Sequence, residues 1–297
     1  MDHSTLEIFC AVAEELSVTR AAQRLGRVQS NVTTRVQQLE EELGATLFVR
    51  ENKRMQLSPQ GEKFLGYAKG MLALAEEARQ VLRPGQPEGL LRVGAMESTV
   101  VSRLPKPLAR YHQTWPGVQL RLNTAPSRQL VDGLKKRTLD CAFAALPLPT
   151  GETPQDLSDL GLMGCQVYTE QLVLVLPADH PPVQDPSELR VHSVAAFKEG
   201  CTYRAIAEDW LRSGQTDIPI DIQEVGSYHA MLACVVSGSC ISFIPRSVIE
   251  LSRETTLLRL HRIENVNTWL LWRHGYETPA LNAFREVLGH GITGETE

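Results

Sequence analysis

The stretch from Gln29 to Leu43 reads QSNVTTRVQQLEEEL, and it decides how the rest of the chain is interpreted. Its apolar residues recur at helical spacing and predict one buried stripe: Val32, Val36, Leu39 and Leu43. The opposite side carries amide, hydroxyl and guanidinium groups: Gln29, Ser30, Thr33, Thr34, Arg35 and Gln38. Glutamine can pair with adenine, arginine with guanine, and the threonine methyl can meet thymine. The segment therefore predicts a helix that reads base edges in double-stranded DNA.

The residues just before this helix predict a partner helix and a tight turn. VTRAAQRL, which ends at Leu25, is a short helix with two alanines for close packing, and Gly26 follows where a turn favours positive φ. Two helices joined in this way form a helix-turn-helix, whose second helix enters the major groove. From Leu16 to Leu39 the chain has four arginines and no Asp or Glu. An ordinary αα-hairpin remains the alternative.

The flanking segments predict the rest of a DNA-binding domain. Thr5 to Glu15 is a first helix, and Thr46 to Leu57 (TLFVRENKRMQL) is two short strands around a polar turn. Basic side chains on that turn suit a wing that touches phosphates beside the groove, although a solvated hairpin tip would look the same. The candidate DNA-binding residues are Val18, Arg20, Arg27, Gln29, Ser30, Asn31, Thr33, Thr34, Arg35, Gln38, Arg50, Lys53 and Arg54.

A long helix follows the predicted wing. Ser58 and Pro59 are a cap residue and a first-turn proline, and the helix runs to about Leu82. Its apolar seam is close to a heptad repeat: Leu65, Ala68, Leu72, Ala75 and Leu82. Because the helix is too long and too one-sided for one small domain to cover, we expect it to dimerise. Arg83 to Gly89 (RPGQPEG) is a Pro- and Gly-rich hinge.

Beyond the hinge, strands and helices alternate, which predicts an α/β fold with mostly parallel sheets. The predicted strands are Leu90–Ala95, Val118–Asn123, Cys141–Ala145, Leu172–Leu176, Ser193–Phe197, Ile220–Val225, Ile241–Ile244 and Thr268–Trp272. The predicted helices are Thr99–Tyr111, Arg128–Arg137, Tyr203–Arg212, Tyr228–Val236 and Pro279–Leu288. So many strands suit two lobes with the chain crossing between them twice.

These elements define a predicted domain order. It consists of a DNA-binding domain at residues 1–58, a linker helix at 59–82, a hinge at 83–89 and an effector-binding domain at 90–297. Within the last, lobe I covers about 90–164 and 268–297, and lobe II about 165–267.

A small-molecule site is predicted at the strand-to-helix junctions of the α/β part. Helix N-termini there would offer free N–H groups, and hydroxyls beside them suit a carboxylate or another small anion. Two side chains, Glu97 and His229, could instead receive an amine. The candidate effector-binding residues are Glu97, Ser98, Thr99, Ser127, Thr202, Tyr203, Ser227 and His229. The alternative is that the hydroxyls only cap their own helices.

Composition and missing motifs limit the other classes of protein. A net charge of −5 argues against non-specific coating of nucleic acid but allows a local basic face. Six cysteines without metal-ligand spacing suggest buried thiols, with a Cys234–Cys240 redox pair as a minor alternative. We find no signal peptide and no apolar run long enough for a membrane span, so we expect a cytoplasmic protein. No nucleophile elbow, phosphate loop or metal motif is present, so neither an enzyme nor a cofactor or metal is expected.

Two other function classes remain to be weighed. A solute-binding or transport module would share the two-lobed α/β part but would lack the arginine-rich N-terminal helix pair. A hydrolase on a doubly wound sheet would need an activated nucleophile, and none is evident in the sequence.

The first 60 or so residues resemble the LysR-type transcriptional regulators. The matching residues are Leu6, Phe9, Val12, Ser17, Ala21, Ala22, Leu25, Gln29, Ser30, Val32, Leu39, Glu40, Leu43, Gly44, Leu47, Phe48, Arg50 and Gly61. Looser matches continue along the chain at Leu104-Pro105, Tyr111, Trp115-Pro116, Leu139-Asp140, VLPADHP and GSCISFIP. The sequence departs from the family pattern at Val28, where many members have Ser, and at Thr34, where many have Arg; here the arginine is Arg35.

The resemblance implies a winged helix-turn-helix, a linker helix and a two-lobed effector domain shaped like a periplasmic binding protein. It further implies a homotetramer, a dimer of dimers, on double-stranded promoter DNA, where it would meet RNA polymerase. A small polar metabolite, such as an amino acid or an amine-bearing acid, would act as coinducer. Whether Arg35 reads a base or binds a phosphate stays open.

Overall fold

The computed structural model describes residues 1–51, 54–82, 85–147, 157–214, 221–252 and 257–289. The chain divides into an N-terminal unit, Met1–Pro84 with Lys136–Thr138, and a C-terminal unit, Gly85–Lys135 with Leu139–Glu297. In the described ranges, no helix combines the length and the apolar character that crossing a bilayer takes.

The N-terminal unit contains helices followed by a small antiparallel hairpin and one long helix. The helices are α1 (His3–Glu15), α2 (Val18–Arg24), α3 (Gln29–Leu43) and α4 (Pro59–Val81), and the strands are β1 (Phe48–Glu51) and β2 (Arg54–Leu57). The predicted helices and hairpin are therefore confirmed. The turn residue Lys53 and the start of the predicted hinge, residues 83 and 84, lie outside the described residues.

Local chemistry sets where these helices begin and end. The Ser58 hydroxyl accepts a hydrogen bond from the Gly61 N–H at 2.9 Å, and Pro59 occupies the first turn of α4. Gly26 has a φ of +62° in the turn between α2 and α3, as the helix-turn-helix requires. Glycine is required at position 61 for a different, steric reason. A Cβ there would overlap the backbone carbonyl oxygen of Leu47.

The core of the N-terminal unit lies where α1, α2 and α3 meet. Val32, Val36 and Leu39 of α3 are buried in it, together with apolar residues of α1 and the two alanines of α2. The fourth predicted member of the stripe was wrong: Leu43 is 38% exposed. Leu43 is the last residue of α3, and Gly44 ends the helix directly after it in the left-handed region.

The predicted seam of α4 also needs correction. Ala68 is fully buried in the N-terminal unit's own core, and Leu65 and Leu72 pack against the same cluster. The apolar side chains that α4 exposes are instead Tyr67, Leu74 and Val81, which repeat every seven residues. This second stripe, with Leu82 exposed beyond it, is the one available to another chain.

The C-terminal unit consists of α/β elements. Its strands are β3 (Gly89–Ala95), β4 (Val118–Thr124), β5 (Cys141–Leu146), β6 (Leu162–Pro177), β7 (Ser193–Ala196), β8 (Asp221–Glu224), β9 (Ile241–Pro245) and β10 (Leu258–Arg273). Its helices are α5 (Glu97–Ser102), α6 (Pro105–Thr114), α7 (Ser127–Lys135), α8 (Thr202–Ser213), α9 (Tyr228–Val236), α10 (Arg246–Ile249) and α11 (Pro279–Val287).

The described strands of this unit form one mixed sheet in the order β4-β3-β5-β10-β6-β9-β7-β8. Pairing is parallel near both ends (β4-β3-β5 and β9-β7-β8) and antiparallel in the middle, where β6 and β10 are each 16 residues long. The expectation of mostly parallel sheets was therefore only partly right. The short strands predicted from the sequence, Leu172–Leu176 and Thr268–Trp272, are each only part of β6 and β10.

Another predicted element was wrong. The helix expected over Thr99–Tyr111 is two helices, α5 and α6, separated at Arg103 and Leu104. Pro105 opens α6 because proline fits a first turn but cannot donate a hydrogen bond inside a helix.

All six cysteines are free thiols, and Cys10, Cys141, Cys201 and Cys240 are buried. This agrees with the sequence expectation that most of them are buried.

Candidate nucleic-acid interface and effector cavity

The exposed face of α3 is fixed by the burial of the opposite one. Successive residues are turned by about 100° around a helix, so the residues farthest from the buried stripe share one face. That face presents hydrogen-bonding side chains to solvent: Ser30, Asn31, Thr34, Gln37 and Gln38. Gln37 was missed in the sequence analysis, although it lies three residues after Thr34 and seven after Ser30. Helical spacing alone would have found it.

The edge of this face nearest α2 is already hydrogen-bonded. The Thr33 hydroxyl donates to the Gln29 carbonyl oxygen at 3.0 Å, and the Thr19 hydroxyl donates to the Gln29 amide oxygen at 3.2 Å. Gln29 is nevertheless exposed, while Thr33 and Val18 are half-buried. At the start of α3, Val28 is 72% exposed and provides no side-chain cap.

The arginines expected on the DNA-binding side interact with acceptors around α1. Arg35 donates to the Asp2 carboxylate at 3.1 Å, Arg20 pairs with Glu15 at 3.3 Å, and Arg27 donates to the Ser4 hydroxyl at 3.0 Å. The acid-free window from residue 16 to 39 had suggested a stronger local positive field. Its acidic partners lie just outside that window in sequence but beside it in space.

The hairpin presents basic side chains next to the helix pair. Arg50 lies on β1 and Arg54 on the neighbouring strand β2, and both side chains are exposed. The first strand is held to α3 by Glu40, whose carboxylate accepts the backbone N–H groups of Leu47 and Phe48 at 2.6 and 3.1 Å. Glu40, near the end of α3, thus positions the hairpin.

The C-terminal unit contains a cavity of about 370 Å³ beside the ends of β3, β4, β7 and β8. Its lining combines apolar and charged side chains: Met96, Glu97, Thr124, Ala125, Pro126, Ser127, Phe197, Lys198, Cys201, Tyr203, Glu224, Val225, Gly226 and Tyr228. The lining comes from both sides of the central strands, so ligand binding there would bridge the two halves of the sheet. This is the place where ligands bind in open α/β sheets.

Glu97 is the carboxylate that stands out in this cavity. One of its oxygens accepts the backbone N–H of Tyr228, at the start of α9, at 3.4 Å. Burial raises the pKa of the Glu97 carboxyl, and the Tyr228 N–H and the charge of His229 oppose part of that rise. The group is thus less well solvated than an ordinary surface glutamate.

Comparison with known proteins assigns both parts of the chain to one family. Residues 3–62 match the family described as "Bacterial regulatory helix-turn-helix protein, lysR family", and residues 84–292 match "LysR substrate binding domain". The chain belongs to the LysR family of transcriptional regulators. It contains the DNA-binding helix-turn-helix and the substrate-binding domain of that family.

Individual relatives cover nearly all of this LysR-type regulator. GltR of Bacillus subtilis is 33% identical over 96% of the chain and 95% of its own length, and YusT of the same species is 37% identical over 100% and 98%. Both are named as HTH-type transcriptional regulators. A cysteine variant of full-length OxyR from Pseudomonas aeruginosa shares the fold with a TM-score of 0.70 at 22% identity, covering 100% and 99% of the chains. CbnR bound to its target DNA gives 0.65 at 23% identity, covering 97% and 99%.

The predicted effector residues of this regulator are only partly brought together. Glu97, Ser127 and Tyr203 line the cavity, whereas Ser98, Thr99, Thr202, Ser227 and His229 do not. The Thr202 hydroxyl donates to the Ala145 carbonyl oxygen at 3.2 Å, and the Ser227 hydroxyl caps α9 by accepting from Ala230. Ser98 and Thr99 are buried inside α5, and His229 is exposed outside the cavity.

The capping alternative therefore holds for Ser227 but not for the other hydroxyls that lie outside the cavity. The cap residue of α8 is Cys201, and that of α5 is Met96. Ser127 has a structural role besides lining the cavity, because its hydroxyl accepts from the Ala145 N–H and lies 3.3 Å from the Met96 sulfur.

A cluster of hydrogen-bonded side chains around Glu170, near the cavity, was not predicted from the sequence. Glu170 on β6 is 2% exposed, and its carboxylate accepts from Arg103 at 2.6 and 3.0 Å and from the Ser247 hydroxyl at 2.6 Å. Arg103 follows α5, whereas Ser247 lies on α10. The cluster therefore ties the long central strand to α10 and to the residue that follows α5. No local pattern could reveal it, since its members are 67 and 77 residues apart.

Proposed function

We propose that the chain binds specific sites in double-stranded promoter DNA as a dimer of dimers and that a small polar effector in the cavity of the C-terminal unit switches it. The observation that carries the proposal is the exposed face of α3. Its polar side chains have the hydrogen-bonding groups that read base edges, and Ser30, Thr34 and Gln37 lie in one row along it. CbnR, which has a similar fold, has been determined with its target DNA.

In this proposal, side chains are divided between bases and phosphates. Ser30, Asn31, Thr34, Gln37 and Gln38 contact bases, with Gln29 and the Thr33 methyl at the edge nearest α2. Arg27, Arg50, Lys53 and Arg54 contact phosphates beside the groove. Arg20 and Arg35 are held by Glu15 and Asp2 in the free protein, so their contribution to DNA binding requires exchange of those partners.

The proposed assembly uses the exposed stripe of α4. Tyr67, Leu74 and Val81 are 73%, 48% and 57% exposed and repeat at the heptad spacing of a two-helix seam. Contiguous apolar side chains of this size on a surface mark an interaction site. A pair of chains joined there places two copies of α3 on one DNA duplex, which suits an operator with dyad symmetry. The assembly then acts on RNA polymerase at the promoter without catalysing a reaction.

Effector control follows from where the cavity lies. A ligand can shift the regulator between two states only by binding one of them more tightly. Because the cavity lining comes from both sides of β6 and β10, a ligand that contacts both sides selects one angle between them. We expect that angle to determine how the chains of the assembly are arranged on DNA.

The experiment is a selection of bound sequences from a random duplex library with the full chain, followed by affinity measurements on the selected site. Thr34→Ala should lose about 1–3 kcal/mol of preference at one base-pair position, because it removes a base contact. Within the described residues, it removes no side-chain hydrogen bond of the protein. The matched control is Thr114→Ala, the same substitution at an exposed position of α6 in the C-terminal unit. A library that yields no preferred sequence, or a Thr34→Ala protein with unchanged preference, would contradict the proposal.

A further inference from the structure

The cavity of the C-terminal unit contains three charged side chains in its lining, and they are not equivalent. Glu224 is paired with Arg204 at 2.7 Å, and Arg204 also holds Glu208 at 2.7 Å. Lys198 is exposed, so solvent screens its charge. Glu97 is half-buried, and within the described residues no lysine, arginine or histidine lies within ion-pair distance of it, although the charge of His229 acts on it from farther away. The charge that the cavity leaves uncompensated is therefore negative.

The helix N-termini beside the cavity do not reverse this balance. The first N–H of α9, from Tyr228, is directed at Glu97, and the Ser227 hydroxyl accepts from Ala230 in the same turn. At α7, the Arg128 N–H donates to the Gly200 carbonyl oxygen at 3.4 Å. The sequence had suggested that free amides at these ends would hold a carboxylate. One N–H at each of these two ends already donates to an oxygen of the protein, which leaves fewer free amides there for a ligand carboxylate.

The start of α8 differs from these ends, because no side chain there accepts a cap hydrogen bond. Its cap residue is Cys201, a buried thiol. Burial raises the pKa of this thiol, and the backbone N–H groups of Arg204 and Tyr203, which lie beside its sulfur, oppose part of the rise. A ligand carboxylate would thus find solvent-exposed Lys198 as its main charged partner in the cavity.

We propose that the effector carries a protonated amine that binds the Glu97 carboxylate and an apolar body that packs against Phe197 and Tyr228. An ammonium group there compensates a carboxylate that is partly removed from water, and charge-assisted hydrogen bonds of this kind are among the stronger ones. Met96 and Val225 extend the apolar lining on either side. A carboxylate elsewhere on the ligand is tolerated at Lys198 but adds little. This inference rests on the proposed function, because it assumes that the cavity is the effector site.

The test uses matched probes and isothermal titration calorimetry on the full chain. The probes are 2-phenylethylamine and 3-phenylpropionate, which are similar in size and opposite in charge, then phenylalanine, and the aliphatic pair pentylamine and hexanoate. In at least one pair the amine should bind about tenfold or more tightly than the acid, and Glu97→Gln should remove that advantage. Gln can still accept the Tyr228 N–H, so the fold near the cavity is kept.

Two further variants separate the Glu97 effect from general electrostatics. Glu224→Gln should weaken amine binding much less than Glu97→Gln, because that carboxylate is already paired with Arg204. Glu199→Gln removes an exposed carboxylate that does not line the cavity, and it should leave binding unchanged. Tighter binding of the acids, equal loss in all three variants, or no binding of any probe amine at about 10 mM would overturn the inference.

Binding to the selected DNA site distinguishes this failure from failure of the proposed function. Suppose that the full chain binds its selected DNA site and that an acid probe, rather than an amine, changes this binding. The proposed regulatory function is then supported, and only the proposed ligand class is wrong. If the chain selects no DNA sequence, the proposed function fails whatever the calorimetry shows.

Discussion

The DNA face and the effector cavity are built in opposite ways. The DNA face takes exposed side chains from one helix, α3, and the burial of Val32, Val36 and Leu39 orients all of them together. The cavity is assembled from residues distant in the chain, and its central contact joins Glu97 to Tyr228, 131 residues away. A surface formed by one continuous segment can be predicted from the periodicity of the sequence. A cavity formed by distant segments depends on which of their groups come into contact in the fold.

The largest effect that tests this contrast is expected at the assembled cluster around Glu170. Glu170→Ala leaves the Arg103 guanidinium and the Ser247 hydroxyl without their common acceptor. Breaking a buried ion pair costs about 3–5 kcal/mol, and the partial exposure of Arg103 reduces this to about 2–3 kcal/mol. Calorimetric unfolding should show this loss in the C-terminal unit.

The control for that prediction is Arg212→Ala, which removes an ion pair with Asp209 that is exposed on both sides. Its effect should stay within about 0.5 kcal/mol. If Glu170→Ala were as mild as the control, the cluster would not brace the central strand. If it lowered DNA affinity as strongly as it lowered stability, the two surfaces would be coupled in the free protein.

The sequence could predict most of the N-terminal unit because its signals are local. The α3 bounds, the Ser58 cap and the positive φ of Gly26 each follow from a few neighbouring residues. The seam of α4 could not be assigned in the same way. Two interleaved apolar stripes run along that helix, and only packing shows that the one through Ala68 is used internally while Tyr67 and Leu74 stay exposed.

The cavity shows the limit of sequence prediction more clearly. Hydroxyls after strands indicated the correct region, and Ser127 and Tyr203 do line the cavity. Whether a helix N-terminus is free depends on tertiary partners such as the Gly200 carbonyl, which no spacing rule contains. The sequence left a carboxylate and an amine both open as the ligand group, and the contacts of Glu97 and Gly200 favour the amine.

A moderate effect is expected at Arg35, where the contiguous surface meets its own α1. The Asp2 carboxylate accepts from the Thr5 N–H at 2.7 Å and from Arg35 at 3.1 Å. Asp2→Asn keeps a good cap residue but removes the charge that holds Arg35. If Arg35 then binds a phosphate, DNA affinity should rise at low salt, and the slope of log affinity against log salt should steepen by about 1.

Two comparisons interpret that experiment. When Arg35→Gln is combined with Asp2→Asn, the gain in DNA affinity should disappear. Position 35 then has no positive charge that could bind a phosphate. A gain confined to one base-pair position, with an unchanged salt slope, would instead mean that Arg35 reads a base. No gain at all would show that Arg35 serves the fold of α1 and α3.

The smallest effect concerns the pH dependence of the unliganded cavity. Burial raises the pKa of Glu97 above its ordinary value of 4.5, so the folded state holds this proton more tightly than the unfolded chain does. The contribution of such a group to stability is fully present below the ordinary pKa and is lost as the pH rises through the folded pKa. Glu97→Gln removes that loss. The Tm of the variant relative to the unchanged protein should therefore increase as the pH rises above about 4.5, and it should level off once the folded Glu97 carboxyl is ionised.

Thermal unfolding over that pH range, with Glu199→Gln as the exposed control, measures the difference. The charge of His229 acts on Glu97, so His229→Gln should be tested alongside. A trend that vanishes in the His229 variant would assign the effect to the histidine charge. A trend that persists would show that the cavity keeps an unsatisfied carboxylate when empty, which is the property that an amine ligand would relieve.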